Sequence, residues 1–314
     1  MSELSLVTGG AGFIGSHLVE ALVQQGQAVR VLDDFSTGLR SNLAHLRPQP
    51  EVVEGSLTDS MAVAKAVDGA AVVYHLGALA SVARSVEAPL TTHAVCATGT
   101  MTLLDAARKA GVRRVVYAGS SSAYGGASSE QGQTEDTPLK ALSPYAAAKL
   151  AGELYMQAFT ETYGLETVRL RFFNIFGPRQ RSDSPYSGVI ALFIAAMSAG
   201  NEPMVHGDGR QSRDFTYVAN AVQALIKAAH APKHAVGQVY NVGTGNSISV
   251  LELVAALNRL LGTNLVPQHG PARMGDVRFS KADIHRTRKD LGYEPNVTFE
   301  EGLKQTVEWY RIQE

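Results

Sequence analysis

Three features of secreted, nucleic-acid-binding or membrane-spanning proteins are scarce in this sequence: cysteine, basic blocks and long apolar runs. Cys96 is the only cysteine, so an internal disulfide is impossible, as is typical of reducing compartments. The 28 Lys and Arg are balanced by 29 Asp and Glu without a basic arm, so we expect no nucleic-acid partner. The longest apolar run, Val189 to Met197, is far shorter than the roughly 20 residues of a membrane span. We therefore expect a cytoplasmic protein that does not enter a membrane.

The chain does have enough apolar residues for a substantial core, since 45% of its 314 residues are hydrophobic. The N-terminus does not resemble a signal peptide, because charged Glu3 leads directly into a strand-like segment. Short β-branched runs then alternate with longer helix-like stretches. The predicted strands are residues 4–8, 28–32, 51–54, 71–75 and 112–118, and the predicted helices are 13–25, 60–67, 88–110 and 144–163. This alternation predicts an α/β fold with a doubly wound parallel sheet whose strands are apolar throughout.

The predicted helix over residues 144–163 is apolar nearly all round. Such a helix needs cover on two sides. Its own sheet would cover one side. A second subunit or the C-terminal half of the same chain would cover the other, and the sequence leaves both possibilities open.

A glycine-rich turn joins the first predicted strand to the first helix. Gly9, Gly12 and Gly15 suit a tight turn, a close approach of backbone to pyrophosphate and helix packing, with the anion at the helix N-terminus. The spacing is GxxGxxG instead of GxGxxG. Asp33 and Asp34 end the second strand, where a carboxylate would accept a hydrogen bond from a ribose 2′-hydroxyl and favour NAD over NADP. The alternative is a plain strand-to-helix turn followed by a loop aspartate.

After about residue 170 the sequence changes to loops rich in Gly, Pro and Arg between shorter helices. We therefore predict an NAD-binding Rossmann domain over residues 1–170, joined by about 213–243. A smaller C-terminal α/β substrate domain is predicted over 171–314.

Hydroxyl side chains and a tyrosine–lysine pair are expected at the same edge of the sheet. The strand that ends near Ala118 is followed by Ser120 and Ser122, at the carboxyl end where doubly wound sheets bind ligands. Tyr145 and Lys149 come after a helix-starting proline and share one helical face. A tyrosine has a pKa near 10, and a nearby ammonium and a positive nicotinamide are expected to lower it. Tyr145 could then take a proton from a substrate hydroxyl as hydride leaves the same carbon. The alternative is an exposed helix face without function.

With these motifs the sequence resembles the extended short-chain dehydrogenase/reductase superfamily and, within it, the UDP-galactose 4-epimerase group of NAD-dependent epimerases/dehydratases. The resemblance covers nearly the whole chain. It also includes five further segments: residues 33–38, 75–78, 171–180, 207–215 and 273–276.

The resemblance implies that Ser120, Tyr145 and Lys149 form the catalytic set, with Lys149 also holding the nicotinamide ribose. It implies NAD as cofactor, a UDP-sugar as substrate and no metal. The NAD contacts that it implies are Gly9, Gly12, Phe13, Ile14, Gly15, Asp33, Asp34, Phe35, Ser36, Thr37, Gly38, Ser56, Leu57, Leu76, Gly77, Ala78, Ala80, Tyr145, Lys149 and Phe173. The substrate contacts that it implies are Ser120, Ser122, Tyr145, Asn174, Gly188, Val189, Val205, His206, Arg213, Arg273, Asp276 and Ser280.

Within the implied substrate set, Asn174, Arg213 and Arg273 would hold the diphosphate, and Asp276 would lie near the uridine ribose. A guanidinium fork matches phosphate geometry. Without the resemblance, the default interpretation is surface arginines paired with Asp208 or Asp276.

Three positions depart from the usual pattern of the group. Ser56 replaces an aspartate that contacts the adenine amino group, Cys96 an asparagine near the cofactor, and Ala80 a lysine of some members. We interpret Cys96 as a small buried residue and not as a nucleophile, because no motif pairs it with a base.

The two residues after Ser120 indicate the type of reaction. Related dehydratases carry an Asp-Glu pair where this chain has Ser121 and Ser122. Reversible oxidation at C4 is therefore favoured: hydride passes to NAD, the 4-keto sugar rotates, and hydride returns to the opposite face. Asn174 stands where uronate enzymes often have threonine, which disfavours UDP-glucuronate. The alternatives are a nucleotide-sugar decarboxylase, dehydratase or reductase, a UDP-glucuronate 4-epimerase, or a NAD-responsive regulatory protein on the same fold.

Ser280 lies seven residues after the arginine of the Arg-x-Gly-Asp motif, at the position that gates the sugar pocket in the epimerase group. A small residue there implies activity on N-acetylated UDP-hexosamines as well as on UDP-glucose and UDP-galactose. We also expect a homodimer through the helices near 88–110 and 144–163.

Overall fold

The computed structural model describes residues 3–126, 132–183, 187–272 and 277–313. The strands, in chain order, are β1 (Leu4–Thr8), β2 (Ala28–Asp33), β3 (Glu51–Glu54), β4 (Ala70–His75), β5 (Arg114–Ser120), β6 (Glu166–Phe172), β7 (Ile175–Phe176), β8 (Met204–His206), β9 (Ser212–Arg213), β10 (Thr216–Tyr217), β11 (Val239–Val242), β12 (Ile248–Ser249), β13 (Gln268–Gly270) and β14 (Phe279–Ser280). The helices are α1 (Phe13–Gln24), α2 (Ser41–Ala44), α3 (Ser60–Val67), α4 (Val82–Glu87), α5 (Pro89–His93), α6 (Gly99–Lys109), α7 (Pro144–Tyr163), α8 (Val189–Ser198), α9 (Val218–Ala229), α10 (Val250–Leu261), α11 (His285–Leu291) and α12 (Phe299–Gln313). A π-helical turn spans Ala94–Thr98, and 3₁₀ turns span Ser121–Tyr124 and Lys233–Ala235.

Seven strands form one parallel sheet in the order β11-β6-β5-β4-β1-β2-β3. The strand order reverses beside β1, so the ends of β1 and β4 border the crevice in which such sheets bind ligands. The central strands β4 and β5 are buried along almost their whole length, as expected for a sheet covered on both faces. The predicted doubly wound parallel sheet is confirmed.

The helix that carries Tyr145 and Lys149 begins and ends where its sequence dictates. The Ser143 hydroxyl accepts a hydrogen bond from the Ala146 N–H at 3.1 Å, and Pro144 occupies the first turn. Gly164 ends α7 in the left-handed conformation, with φ of +70°. The predicted span of 144–163 is confirmed. In contrast, the helix predicted over 88–110 is α5 and α6 joined by the π-helical turn, which was not predicted.

The surroundings of α7 test one of the two kinds of cover left open above, cover by the C-terminal half of the chain. The strands β5 and β6 pack on one side, and α4, α5, the π-helical turn and α6 pack on the other. Apart from β6, all of these elements precede α7 in the chain. Cover of its second side by the C-terminal half, within the described ranges, is therefore wrong.

Short strands and helices come after β6 and surround a second apolar core. The strand pairs are β7 with β10, β8 with β13, and β9 with both β12 and β14. Aromatic rings hold this part together, with Phe176 in contact with Phe215, Tyr217 and Phe299 at centroid distances of 5.7–6.4 Å. No helix of the described residues is long and apolar enough to span a membrane.

Candidate active site

The structure explains why glycine occupies each of the three predicted positions in the first turn. Gly9 has φ of +67°, and a Cβ there would lie 2.9 Å from the Gly77 backbone, so two strand ends approach closely. A Cβ at Gly15 would lie 2.1 Å from the Gly9 carbonyl oxygen, because α1 packs directly on the turn. Gly12 is the N-cap of α1 and provides no side chain to cap its first turn. The N–H groups at this helix end are therefore free to bind an anion.

The two predicted aspartates after β2 differ in position. Asp33 is buried, and its carboxylate accepts hydrogen bonds from the N–H groups of Ala11 and Phe35, both at 2.9 Å. Burial raises the pKa of Asp33, while these two N–H donors lower it. Asp34 is exposed and instead accepts from the N–H and hydroxyl of Ser36. The structure thus joins Asp33, and not Asp34, to the glycine turn.

The other predicted cofactor residues lie after the ends of several parallel strands. Ser56 lies just after β3 and accepts a hydrogen bond from the Thr58 hydroxyl at 3.0 Å. Leu57 is buried against Gly77, whereas Thr37 and Ala80 are exposed. The remaining predicted residues lie at four places. Phe13 and Ile14 begin α1, and Phe35, Ser36 and Gly38 follow β2. Leu76, Gly77 and Ala78 follow β4, and Phe173 follows β6.

The structure brings the predicted hydroxyls together at the end of β5. The Ser120 Oγ accepts hydrogen bonds from the Ser122 N–H at 3.2 Å and from the Ser122 hydroxyl at 2.9 Å. The Tyr145 hydroxyl lies close enough to Ser120 for the serine to lower its pKa. Lys149 lies one turn further along α7 and is buried. Serine, tyrosine and lysine thus form one cluster at the carboxyl edge of the sheet.

The expectation of a lowered Tyr145 pKa included a positive nicotinamide, and the protein groups alone raise that pKa. Burial raises the pKa of the Tyr145 hydroxyl, Cys96 raises it further, and the nearby Ser120 side chain lowers it. Burial also lowers the pKa of the Lys149 ammonium. Both shifts have one cause, since a poorly hydrated site disfavours charge of either sign.

Sequence reasoning missed four buried residues around Lys149. Its Nζ lies 4.2 Å from the ring centre of Tyr117, and the Tyr117 hydroxyl donates to the Lys149 carbonyl oxygen at 3.1 Å. Glu153, one turn after Lys149, pairs with Arg171 of β6 at 2.7 Å. His75 packs against Tyr117 with a centroid distance of 5.6 Å. A charged residue on an otherwise apolar helix was the available signal for Glu153.

The predicted substrate residues form two groups after β6. Asn174, Gly188 and Val189 line one small cavity together with Gln180 and Phe215, neither of which was predicted as a site residue. Arg213 of β9 and Ser280 of β14 are register partners on neighbouring strands. Val205 and His206 lie on β8. Arg273 and Asp276 lie outside the described residues.

A buried carboxylate that was not predicted fixes the strands of Arg213 and Ser280. The Asp214 N–H donates to the Ser280 carbonyl oxygen at 2.8 Å. The Asp214 carboxylate accepts from the N–H groups of Thr244, Gly245 and Ala282 at 2.8, 3.0 and 3.2 Å. One side chain therefore ties β9 to β14 and to the loop after β11.

Comparison with known proteins assigns this arrangement to a family. The model of the GDP-mannose 4,6-dehydratase family matches residues 6–306. The UDP-glucose 4-epimerase of Mycolicibacterium smegmatis is 38% identical, over 98% of this chain and 98% of its own. The chain belongs to the epimerase/dehydratase family of extended short-chain dehydrogenases/reductases. The predicted family is thus confirmed.

Solved structures of the epimerase/dehydratase family share the whole fold. A UDP-N-acetylglucosamine 4-epimerase from Methanobrevibacter ruminantium, in complex with UDP-N-acetylmuramic acid, superposes with a TM-score of 0.94 at 36% identity and full coverage of both chains. The UDP-glucose 4-epimerase of Thermus thermophilus, in complex with NAD, superposes with a TM-score of 0.90 at 34% identity, over 98% of this chain and 99% of its own.

Proposed function

We propose that this enzyme catalyses the NAD-dependent 4-epimerisation of UDP-hexoses through a transient 4-keto sugar. UDP-glucose and UDP-galactose are the basic pair, and UDP-N-acetylglucosamine and UDP-N-acetylgalactosamine are also substrates. The observation that carries the proposal is the cluster of Ser120, Tyr145 and Lys149 at the end of β5, in the same parallel sheet whose strand β1 leads into the glycine turn. Ser121 and Ser122 stand where a dehydratase would carry an acid pair.

The cofactor residues present fit NAD. The uncapped N-terminus of α1 at Gly12 suits a pyrophosphate, and the buried Asp33 carboxylate beside the glycine turn suits a ribose hydroxyl. When bound, NAD accepts a hydride from sugar C4 and returns it, and its positive ring favours a phenolate nearby. Ser56, Leu57 and the residues after β4 border the same crevice.

Tyr145 moves the proton in this proposal. Its hydroxyl takes the proton of the sugar 4-hydroxyl during oxidation and returns it during reduction. Ser120 lies close to the Tyr145 hydroxyl and orients it in this proposal. Lys149 supplies a positive charge on the same helical face, which favours the phenolate.

The region after β6 holds the substrate. Asn174 and Arg213, with Arg273, bind the diphosphate, and Asp276 binds the uridine ribose. Ser280 is buried, at 8% exposure, and in this proposal its small side chain admits substrates with an N-acetyl group. In domain terms, residues 1–170, joined by about 213–243, bind NAD, and residues 171–314 provide the substrate contacts.

The enzyme acts as a cytoplasmic homodimer in this proposal, with no nucleic-acid partner. The surface formed by α4, α5 and α7 carries Val86, Leu90 and Leu154, which are 65%, 83% and 64% exposed. Apolar side chains this exposed on neighbouring helices favour burial against a second copy.

A panel of UDP-sugars tests the reaction. Products are separated by chromatography, their masses are measured by mass spectrometry, and NADH absorbance is followed during the reaction. We expect interconversion of 4-epimers at constant mass without steady-state NADH. Loss of carbon dioxide or water would indicate a decarboxylase or dehydratase, net NADH consumption a reductase, and absence of turnover a regulatory protein. Nucleotide released from the denatured enzyme identifies the bound cofactor.

A further inference from the structure

The ammonium of Lys149 occupies an unusual environment for a charged group. Lys149 is 3% exposed, and its Nζ faces the ring of Tyr117 at 4.2 Å from the centroid. The acid one turn further along the helix, Glu153, is engaged by Arg171 at 2.7 Å. An aromatic face attracts a cation, and the attraction is strongest where the cation has lost water. The ring of Tyr117 therefore stabilises the charged form of Lys149.

Tyr117 is itself held firmly under Lys149. It lies in β5, is fully buried, and its hydroxyl donates to the Lys149 carbonyl oxygen at 3.1 Å. A Cβ at Gly152 would lie 2.3 Å from the Tyr117 hydroxyl oxygen, so a glycine is required for this close approach. The same tyrosine thus contacts both the charged end and the backbone of the lysine.

We propose that Tyr117 is a positioning residue for Lys149: its ring holds the ammonium in place and in its charged form, and its hydroxyl fixes the helical turn beneath. This inference rests on the proposed function, in which charged Lys149 favours the Tyr145 phenolate. Tyr117 belongs to none of the motifs by which the site was predicted.

Other groups around Lys149 also raise or lower its pKa. Burial lowers the pKa of Lys149, and Cys96 of the π-helical turn and Glu153 raise it. His75 of β4 is neutral, because burial and the charge of Lys149 lower its pKa to about 3. Burial raises the pKa of Tyr117 well above the usual value, so its ring stays a neutral phenol. If the attraction of the Tyr117 ring is weakened, the pKa of Lys149 should therefore fall further, because burial is then opposed less.

Fluorination of the ring tests the inference at nearly constant size. Tyr117→Phe and its mono-, di- and trifluorinated phenylalanine analogues are prepared in the full chain loaded with NAD, and kcat for UDP-glucose is measured against pH. Tyr117→Phe should keep the alkaline limb of the profile, because the ring remains. Added fluorine should move that limb progressively to lower pH, by about one unit for the trifluorinated ring. A merely structural role would change thermal stability without this ordered shift.

A matched control lies on the same helix as Lys149. The Arg108 guanidinium sits 4.7 Å above the ring of Tyr163, which is 54% exposed, so the same series at 163 should not move the limb. An alkaline limb that stays fixed across the series at 117 would overturn the inference. Where turnover is too slow, ¹³C NMR titration of Lys149 replaces kinetics, and an unchanged pKa again overturns it. Failure of the proposed function is distinct, since the wild type would then not epimerise UDP-glucose.

Discussion

The candidate site residues come from two regions built on different principles. The sheet region comprises the seven-stranded sheet with α1–α7 and α9, and the pocket region comprises β7–β10 and β12–β14 with α8, α10 and α12. In the sheet region, regular parallel strands deliver Gly9, Asp33 and Ser120 to one edge. In the pocket region, strands of two or three residues are held by aromatic packing and by the carboxylate of Asp214. Secondary structure thus positions the proposed catalytic residues, and individual tertiary contacts position the proposed substrate residues.

The largest effect is expected from breaking the buried ion pair of the sheet region. Arg171 and Glu153 are 4% and 3% exposed, and Glu153→Gln leaves the guanidinium charge buried without a counter-charge. We expect a loss of about 3–5 kcal/mol in the free energy of unfolding, measured by urea denaturation. The control Glu308→Gln breaks the exposed pair with Lys304 and should cost less than about 1 kcal/mol. Similar losses for the two variants would contradict this account of the sheet region.

Ser280→Tyr tests the pocket region without touching the cofactor site. The larger side chain should occupy the space for an N-acetyl group, since Ser280 is buried. We expect turnover of UDP-N-acetylglucosamine to fall by about 100-fold, equivalent to about 2.7 kcal/mol, with UDP-glucose turnover kept. Both activities are compared at saturating NAD. Equal loss of the two would eliminate the idea of a gate.

Asp214→Asn should affect the pocket region and not the sheet region, which can be tested by comparing KM for UDP-glucose with the amount of NAD bound. An amide cannot accept the hydrogen bonds of Thr244, Gly245 and Ala282 with both of its heavy atoms, so the strand of Ser280 loosens. We expect KM for UDP-glucose to rise by about tenfold, about 1.4 kcal/mol, while the amount of NAD bound stays constant. A fall in bound NAD with an unchanged KM would show that Asp214 serves the sheet region instead.

The free energy of unfolding should fall at acidic pH because of two buried histidines, one in the sheet region and one where that region meets the loop after β7. Burial lowers the pKa of His17, which is hydrogen-bonded to the Pro178 carbonyl, to about 4, and that of His75 to about 3. A depressed pKa means that the unfolded state binds more protons below pH 6.5. Each histidine should therefore remove about 1.4 kcal/mol of unfolding free energy per pH unit as the pH falls from 6.5 towards 4. His17→Gln should reduce this slope, and an unchanged slope would contradict the assignment.

The difference between the regions also explains how much of the molecule was predictable from its sequence. The glycine turn, the strands and α7 depend on local patterns, so Gly9, Gly12, Gly15, Ser120, Tyr145 and Lys149 were found to lie at one edge of the sheet. Tyr117 and Asp214 were missed because their roles depend on which strands become neighbours. The π-helical turn at Cys96 leaves no signal in helical periodicity. The rise of the Tyr145 pKa caused by burial was not predicted, because the depth of burial is a tertiary property.

The central claim is that Tyr145 transfers the proton in a reversible oxidation at C4. The most direct measurement is the rate of interconversion of UDP-glucose and UDP-galactose by the wild type and by Tyr145→Phe, with thermal stability and bound NAD measured alongside. We predict that the variant folds and retains NAD but that kcat falls by about 10²–10⁴-fold. Unchanged turnover by the folded variant would contradict the account.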